Sequence, residues 1–297
     1  MPSSVVATLI ANPSEYPLSE AGISRIVQGV GGFNSWRWLS ESVAADLLFD
    51  APAPAIKAAL KEALADAPID VIVQPAEHRV KRLLVADMDS TLIRQECVDE
   101  LAAYAGVGDR VAEITERAMQ GEIAFEPALR ERVALLAGLP ASAIADVLRD
   151  RITLSRGART LVQTMRALGA RVAIVSGGFR AFTSAIAALV GADEDRANEL
   201  EIRDGKLTGK VVEPILGHNA KLSALKETAA RMGLALRDTL AVGDGANDLM
   251  MLEAAGLGVA YYAKPKVAAG AHARIDHTDL TALLYAQGLA RADFVEG

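Results

Sequence analysis

The chain has a single cysteine, Cys97, among 297 residues. That excludes an intrachain disulfide and a cysteine-built zinc site, and it suits the reducing cytoplasm. Aromatic residues make up only 4%, so the cores must be aliphatic. Basic residues do not predominate: Lys+Arg 31 against Asp+Glu 38 gives a net charge of −7. A net acidic chain without a basic tract is not built for general nucleic-acid or anionic-membrane binding. An anionic substrate would have to be attracted by local groups. Long apolar runs are missing too. Met1 to Ala11 has no basic start and only a brief apolar stretch, so neither a signal peptide nor a spanning segment is expected. The histidines His78, His218, His272 and His277 are scattered and suggest no joint chemistry.

What is present is the profile of a folded soluble protein, 51% hydrophobic and 23% charged. The length allows two domains. In the first, Val5 to Ala11 reads as a strand. Ser19 to Val30 reads as a helix from Ile23, Ile26, Val27 and Val30. Asn34 to Asp50 reads as strand, turn, strand, with Trp36 and Trp38 on one face. Pro52 and Pro54 introduce a helix carrying Ile56, Leu60 and Leu64 on one side, and Ile69 to Val73 is a further strand. The order βαββαβ predicts a small ferredoxin-like α+β domain over residues 1–78. It ends in a linker at Pro75 to His78 and holds no acid–base constellation.

Residues 79–297 form the second domain in this reading. From about 95 to 155 helical periodicity dominates, with stripes at Val98, Leu101, Ala102 and Ala105 and at Val111, Ile114 and Ala118. Gly121 and Gly138-Leu139-Pro140 are among the breaks. This is an all-helical insertion just after the domain's first strand. Beyond Gly157, strands and helices alternate: apolar strands at Arg171–Val175, Thr239–Val242, Leu257–Tyr261 and Ala273–Ile275, with a hairpin over 200–212 about Asp204-Gly205. Alternation implies a parallel sheet covered on both faces.

The stretch Leu83-Leu84-Val85-Ala86-Asp87-Met88-Asp89-Ser90-Thr91 organises the rest. An apolar strand runs directly into paired carboxylates. Residues two apart in an extended chain share a side, so Asp87 and Asp89 would crowd like charges unless a cation or a proton lies between them. Two more apolar strands end in small polar loops, Ser176-Gly177-Gly178 and Gly243-Asp244-Gly245-Ala246-Asn247-Asp248. Ligands of open parallel sheets bind beyond the carboxyl ends of the strands, so the three loops are expected to converge. Asp87, Asp89 and Asp244 then offer hard oxygen donors suited to magnesium. Ser176 offers a hydroxyl, Gly177 an accessible N–H, and Lys221 a positive charge: the donors a phosphate needs. Each alone is an ordinary turn or surface residue; the set is not.

In this order the set resembles the four signature motifs of the haloacid dehalogenase superfamily: Asp87-x-Asp89-Ser90-Thr91, Ser176-Gly177-Gly178, Lys221, and Gly243-Asp244-Gly245-x-Asn247-Asp248. The insertion resembles that superfamily's small helical cap. Glu96, and Phe125-Glu126-x-Ala128-Leu129-x-x-Arg132-Val133, are similar to the phosphoserine phosphatase branch. The region before Pro75 resembles, by element order, the regulatory ACT-like domain of some members. The likeness spans about Lys81 to Ile275.

The resemblance implies an α/β fold, a Rossmann-like core with a helical cap, and magnesium-dependent hydrolysis of a small phosphomonoester, O-phosphoserine. It implies Asp87 as nucleophile forming an aspartyl-phosphate and Asp89 as general acid, then base. Lys221, Ser176, the Gly177 N–H and magnesium would stabilise phosphoryl oxygens. Asp244 would complete the magnesium shell, with Asp248 supporting it or Lys221. Asn247 would contact substrate or phosphate, and Thr91 would stabilise the loop or touch phosphate. Glu96 would pair with the substrate ammonium, and Arg132 would grip its carboxylate. Cys97 is expected as a buried small residue. Two other readings stand beside this one: a phosphatase or phosphotransferase acting on another phosphomonoester such as phosphohomoserine, and an amino-acid sensor. The first domain could pair with its copy in a homodimer.

Overall fold

The computed structural model describes residues 4–65, 67–119, 122–217 and 219–296. Gly121 and His218 of the sequence reading lie outside them. Strand β1 (Val5–Ala11) is buried along its whole length because both of its edges and both of its faces are covered. Helix α1 (Glu20–Gln28) follows, and the Ser19 side chain caps it by accepting the Gly22 N–H at 3.1 Å. Then come β2 (Phe33–Ser40), β3 (Ala44–Phe49), α2 (Ala53–Leu64) and β4 (Ile69–Pro75). Ile56, Leu60 and Leu64 are the buried face of α2, as the four-residue spacing requires. The sheet order is β2-β3-β1-β4, antiparallel throughout. The expected βαββαβ unit is present. Trp36 and Trp38 stack edge to face at 5.1 Å.

The second unit opens with β5 (Leu83–Ala86) and sends out four helices, α3 (Cys97–Tyr104), α4 (Gly108–Met119), α5 (Phe125–Ala134) and α6 (Ser142–Asp150). The chain returns through α7 (Ala158–Ala167), β6 (Arg171–Phe179), α8 (Arg180–Val190), β7 (Glu194–Arg203) and β8 (Lys206–Val212). It closes with α9 (Ala220–Arg231), β9 (Thr239–Gly243), α10 (Leu249–Ala254), β10 (Leu257–Tyr261), α11 (Pro265–Gly270), β11 (Ala273–Ile275) and α12 (Ala282–Ala286). The seven-stranded sheet runs β11-β10-β9-β5-β6-β7-β8, parallel except where β8 folds back on β7. Alternation along β5 shows why both faces are apolar: Leu84 and Ala86 enter one core, Leu83 and Val85 the other.

Two features depart from the sequence reading. Ser176-Gly177-Gly178, expected as a loop, continues strand β6 to Phe179, with its pairing to β7 irregular between Val175 and Phe179. Strand β7 starts at Glu194, ahead of the expected hairpin. Its polar first half carries no hydrophobic alternation because its side chains bond laterally: Asp195 accepts from Thr183 and Ser184, and Arg196 meets Glu227 at 2.7 Å. The hairpin also braces the helical insertion. Gly138 N–H donates to Leu207 O at 2.9 Å, and Leu207 N–H donates to Leu139 O at 2.8 Å.

The β-sheet of the first unit lays its second face on the other unit: Ile10, Leu39, Ala44 and Ile72 join the larger core. Asp70, on edge strand β4, accepts the main-chain N–H groups of Asp276 at 2.8 Å and Thr278 at 2.9 Å. Arg79 grips both Asp46 oxygens at 2.8 Å. Among the described residues, no helix is long and apolar enough to cross a membrane.

Candidate active site

Strands β9, β5 and β6 are adjacent and parallel, so their carboxyl ends open on one place. The chain leaves β5 on one side toward β6 and reaches β9 on the other, the switch point at which such sheets form a crevice. Asp87 stands at this end of β5. One of its oxygens accepts the Met88 N–H at 2.7 Å, and the other lies 2.6 Å from Lys221 Nζ. Lys221, in the first turn of α9, also donates to Asp248 at 2.6 Å. Asp248 accepts the Gly245 N–H at 2.9 Å with its second oxygen. Gly243 must be glycine here, since a Cβ would fall 2.3 Å from the Asp248 Cγ.

Asp87, Asp244 and Asp248 present carboxylate oxygens within 4.8 Å of one another. Thr91 Oγ1 donates to Asp244 at 3.1 Å and steadies it. Three carboxylates face a single ammonium in a buried cleft. Burial, with the Asp248 charge, pushes the Asp244 carboxyl up to about 6, and the same causes raise Asp87 well above the ordinary range. Burial alone would lower Lys221, but Asp87 and Asp248 outweigh it and hold the ammonium above its usual value. The residual negative charge and the all-oxygen donors fit a hard divalent cation.

Asp89 does not stand with this group. The backbone turns after Asp87, and Ser90 takes a left-handed φ of 53°. The Asp89 side chain is drawn to the start of α3, where one oxygen accepts the Cys97 N–H at 3.0 Å. The other accepts from Ser176 Oγ at 3.2 Å, and Gly178 N–H donates to that hydroxyl at 2.9 Å. A Cβ on Gly178 would sit 2.8 Å from Asp89, so this strand can approach the carboxylate only as glycine. Burial raises the Asp89 carboxyl.

The pocket beside these groups is lined by Ser176, Gly177, Lys221 and Asn247 from the core and by Phe125 from α5. Phe125 lies against Gly177, which brings the helical insertion over the site. Glu96, just ahead of α3, accepts from Ser90 Oγ at 2.7 Å. Crowding by the surrounding protein and then the Asp89 charge push its carboxyl up to about 7; its side chain stays open to solvent, which screens this shift. Arg132 is half-buried on α5, and burial lowers its pKa against the pull of Asp99 and Glu96. Cys97 is buried, and burial with the adjacent Asp89 keeps its thiol protonated.

Residues 84–253 match the model of the haloacid dehalogenase-like hydrolase family. The chain belongs to that family. It is 48% identical over 225 residues to phosphoserine phosphatase of Streptomyces coelicolor, covering 76% of this chain and 55% of that one. It is 49% identical over 201 residues to phosphoserine phosphatase of Streptococcus thermophilus, covering 68% of this chain and 93% of that one. A HAD-family hydrolase from Salmonella enterica serovar Typhi superposes with a TM-score of 0.84 at 31% identity, over 95% of this chain and 97% of that one. The chain spans 55–58% of the length of the first curated relatives it matches. The family match begins at Leu84 and so leaves the first unit outside it, whereas the Salmonella likeness includes most of it.

Sequence reasoning missed Asn198. Its side chain is buried in β7, donates to Gly177 O at 2.8 Å and accepts the Leu216 N–H at 2.7 Å. It thereby joins two walls of the pocket. A lone Asn in a polar strand gives no periodic signal, although Asn is depleted from strands.

Proposed function

We propose that the chain is a magnesium-dependent phosphoserine phosphatase that works through an aspartyl-phosphate on Asp87. One observation carries the reading. Asp87 is buried beside the Lys221 ammonium, which lines a pocket with Ser176, Gly177 and Asn247, while a second carboxylate, Asp89, is drawn to the start of α3. The naming of similar proteins as phosphoserine phosphatases supports the substrate.

Asp87 attacks phosphorus as the nucleophile. Lys221 neutralises the phosphoryl oxygens, and Ser176 and the Gly177 N–H receive them. Asp89, its proton retained by burial, protonates the departing seryl oxygen, which would otherwise leave as an alkoxide. It then takes a proton from the water that hydrolyses the aspartyl-phosphate. Asp87 and Asp244, with Asp248 beside them, would hold magnesium, which supplies positive charge against both the carboxylates and the phosphate. Asn247 contacts the substrate from the β9 loop. Glu96 and Arg132 provide a carboxylate for the ammonium and a fork for the carboxylate.

In this reading residues 1–78 are an ACT-like unit and 79–297 the phosphatase, with the cap at about 95–155. The enzyme is cytoplasmic and could pair through its first unit. The test is phosphate release from a panel of small phosphoesters, phosphohomoserine included, with and without magnesium. Magnesium-dependent turnover with preference for phosphoserine is expected; equal rates across the panel would refute the substrate.

A further inference from the structure

A cavity of about 620 Å³ lies between the first unit and the phosphatase core. It shares no lining residue with the catalytic pocket, yet it reaches Ser90 of the Asp87 loop. Its walls come from three parts of the chain. The β1–α1 loop contributes Asn12 and Glu15, and the segments around β10 and β11 contribute Tyr261, Tyr262 and Asp279. The third wall is the pair of strand crossings that join the helical insertion to the core.

Those crossings are closely tied. Ile93 bridges Leu154, Arg94 N–H donates to Thr153 O at 3.0 Å, and Ser155 N–H donates to Leu92 O at 2.9 Å. The Gln95 side chain bonds Thr153 at 3.0 Å. Arg94 and Arg156 flank the crossings, one on each strand, and both line the cavity.

Charge decides what the cavity can hold. Among the described residues, neither the Arg94 nor the Arg156 side chain makes an ion pair or a hydrogen bond. The acidic lining is partly committed: Asp279 accepts the Thr281 N–H at 2.8 Å and its hydroxyl at 2.5 Å. Glu15 stands exposed on the loop, as Arg94 and Arg156 do at the rim of the cavity. Two free guanidinium forks on one wall of a polar, interdomain cavity match an oxyanion, which each fork can hold with paired hydrogen bonds. The size lies within the range of small-molecule sites, and such sites favour domain interfaces.

We propose that this cavity binds a small organic oxyanion, carboxylate- or phosphate-bearing, through Arg94 and Arg156. Its occupancy links the first unit to the crossings of the helical insertion. The inference does not depend on the substrate assigned to the catalytic pocket. Its test is calorimetric titration of the full chain with malonate and, separately, with sulfate as the tetrahedral arm. At least one should bind saturably at millimolar concentration. Affinity should fall at least about tenfold in Arg94→Ala/Arg156→Ala, the effect of losing charge-assisted hydrogen bonds. It should persist in Arg132→Ala, an arginine on α5 that does not line this cavity. Malonate alone identifies a carboxylate site and sulfate alone a phosphate-type site. Hydrogen exchange of the Arg94 and Ser155 amides should slow when the ligand is bound. Absence of binding by both anions, binding indifferent to the double substitution, or unchanged exchange at the crossings would each overturn the proposal.

Discussion

The Asp89 carboxylate accepts the main-chain N–H of Cys97 at 3.0 Å. Cys97 is the first residue of α3, so the candidate acid is fixed to the start of the helical insertion, where the helix offers unpaired N–H groups. Asp89→Asn retains an oxygen for this contact and loses the transferable proton. Turnover of phosphoserine should fall by about 10²–10⁴-fold, the usual contribution of general acid catalysis. p-Nitrophenyl phosphate, whose leaving group needs no proton, should lose much less in its first step. Comparing pre-steady-state bursts on the two substrates checks this; matching losses in the burst would remove Asp89 from the acid role.

Asp87→Asn should abolish turnover while the protein stays folded, because Lys221 keeps its contact to Asp248 at 2.6 Å. With magnesium, wild type should bind beryllium fluoride as an aspartyl-phosphate mimic, and the variant should not. Circular dichroism controls for folding. A folded Asp87→Asn protein that still turns over would sink the nucleophile assignment.

The convergence of the three polar segments was legible because apolar runs such as Leu83 to Ala86 give way abruptly to polar and small residues, and the order β9-β5-β6 places those segments together, although Ser176-Gly177-Gly178 continues its strand. The direction of Asp89 was not legible. Period-two reasoning sends it to the same side as Asp87, but the chain ceases to be a strand there, with Ser90 at φ 53°. Capture by the N-terminus of α3 is a tertiary effect. The same holds for the lateral bonds that make polar β7 a strand, and for the docking of its hairpin on the helical insertion.

Asn198 is expected to act by positioning. Its amide holds Gly177 O and the Leu216 N–H at once. Asn198→Ala leaves both main-chain groups without this partner, a cost of about 1–3 kcal/mol in stability, visible in urea unfolding. Asn198→Asp keeps the acceptor for Leu216 but turns a carboxylate oxygen toward Gly177 O. KM should rise for phosphoserine and p-nitrophenyl phosphate alike, since the pocket wall serves any phosphate. A change in kcat with KM constant would argue against positioning.

Glu96 and Arg132 should set selectivity. Glu96 has its carboxyl pushed up to about 7 by crowding and by Asp89. Below that pH it is neutral and cannot pair with an ammonium, so kcat/KM for phosphoserine should climb as pH rises through about 7. The sign for stability is the reverse. The folded state holds this proton more tightly than the unfolded chain, so the contribution of Glu96 is most favourable below the ordinary glutamate range and declines as pH rises toward 7. Glu96→Gln should remove the kinetic limb, and Arg132→Ala should retain it. Each substitution removes a charge-assisted contact of about 1.5–3 kcal/mol, roughly ten- to hundredfold in kcat/KM for phosphoserine. p-Nitrophenyl phosphate has neither an ammonium nor a carboxylate and should be nearly indifferent to both. Equal losses on the two substrates would show that these residues shape the fold of the insertion and leave the recognition of the amino acid to other groups.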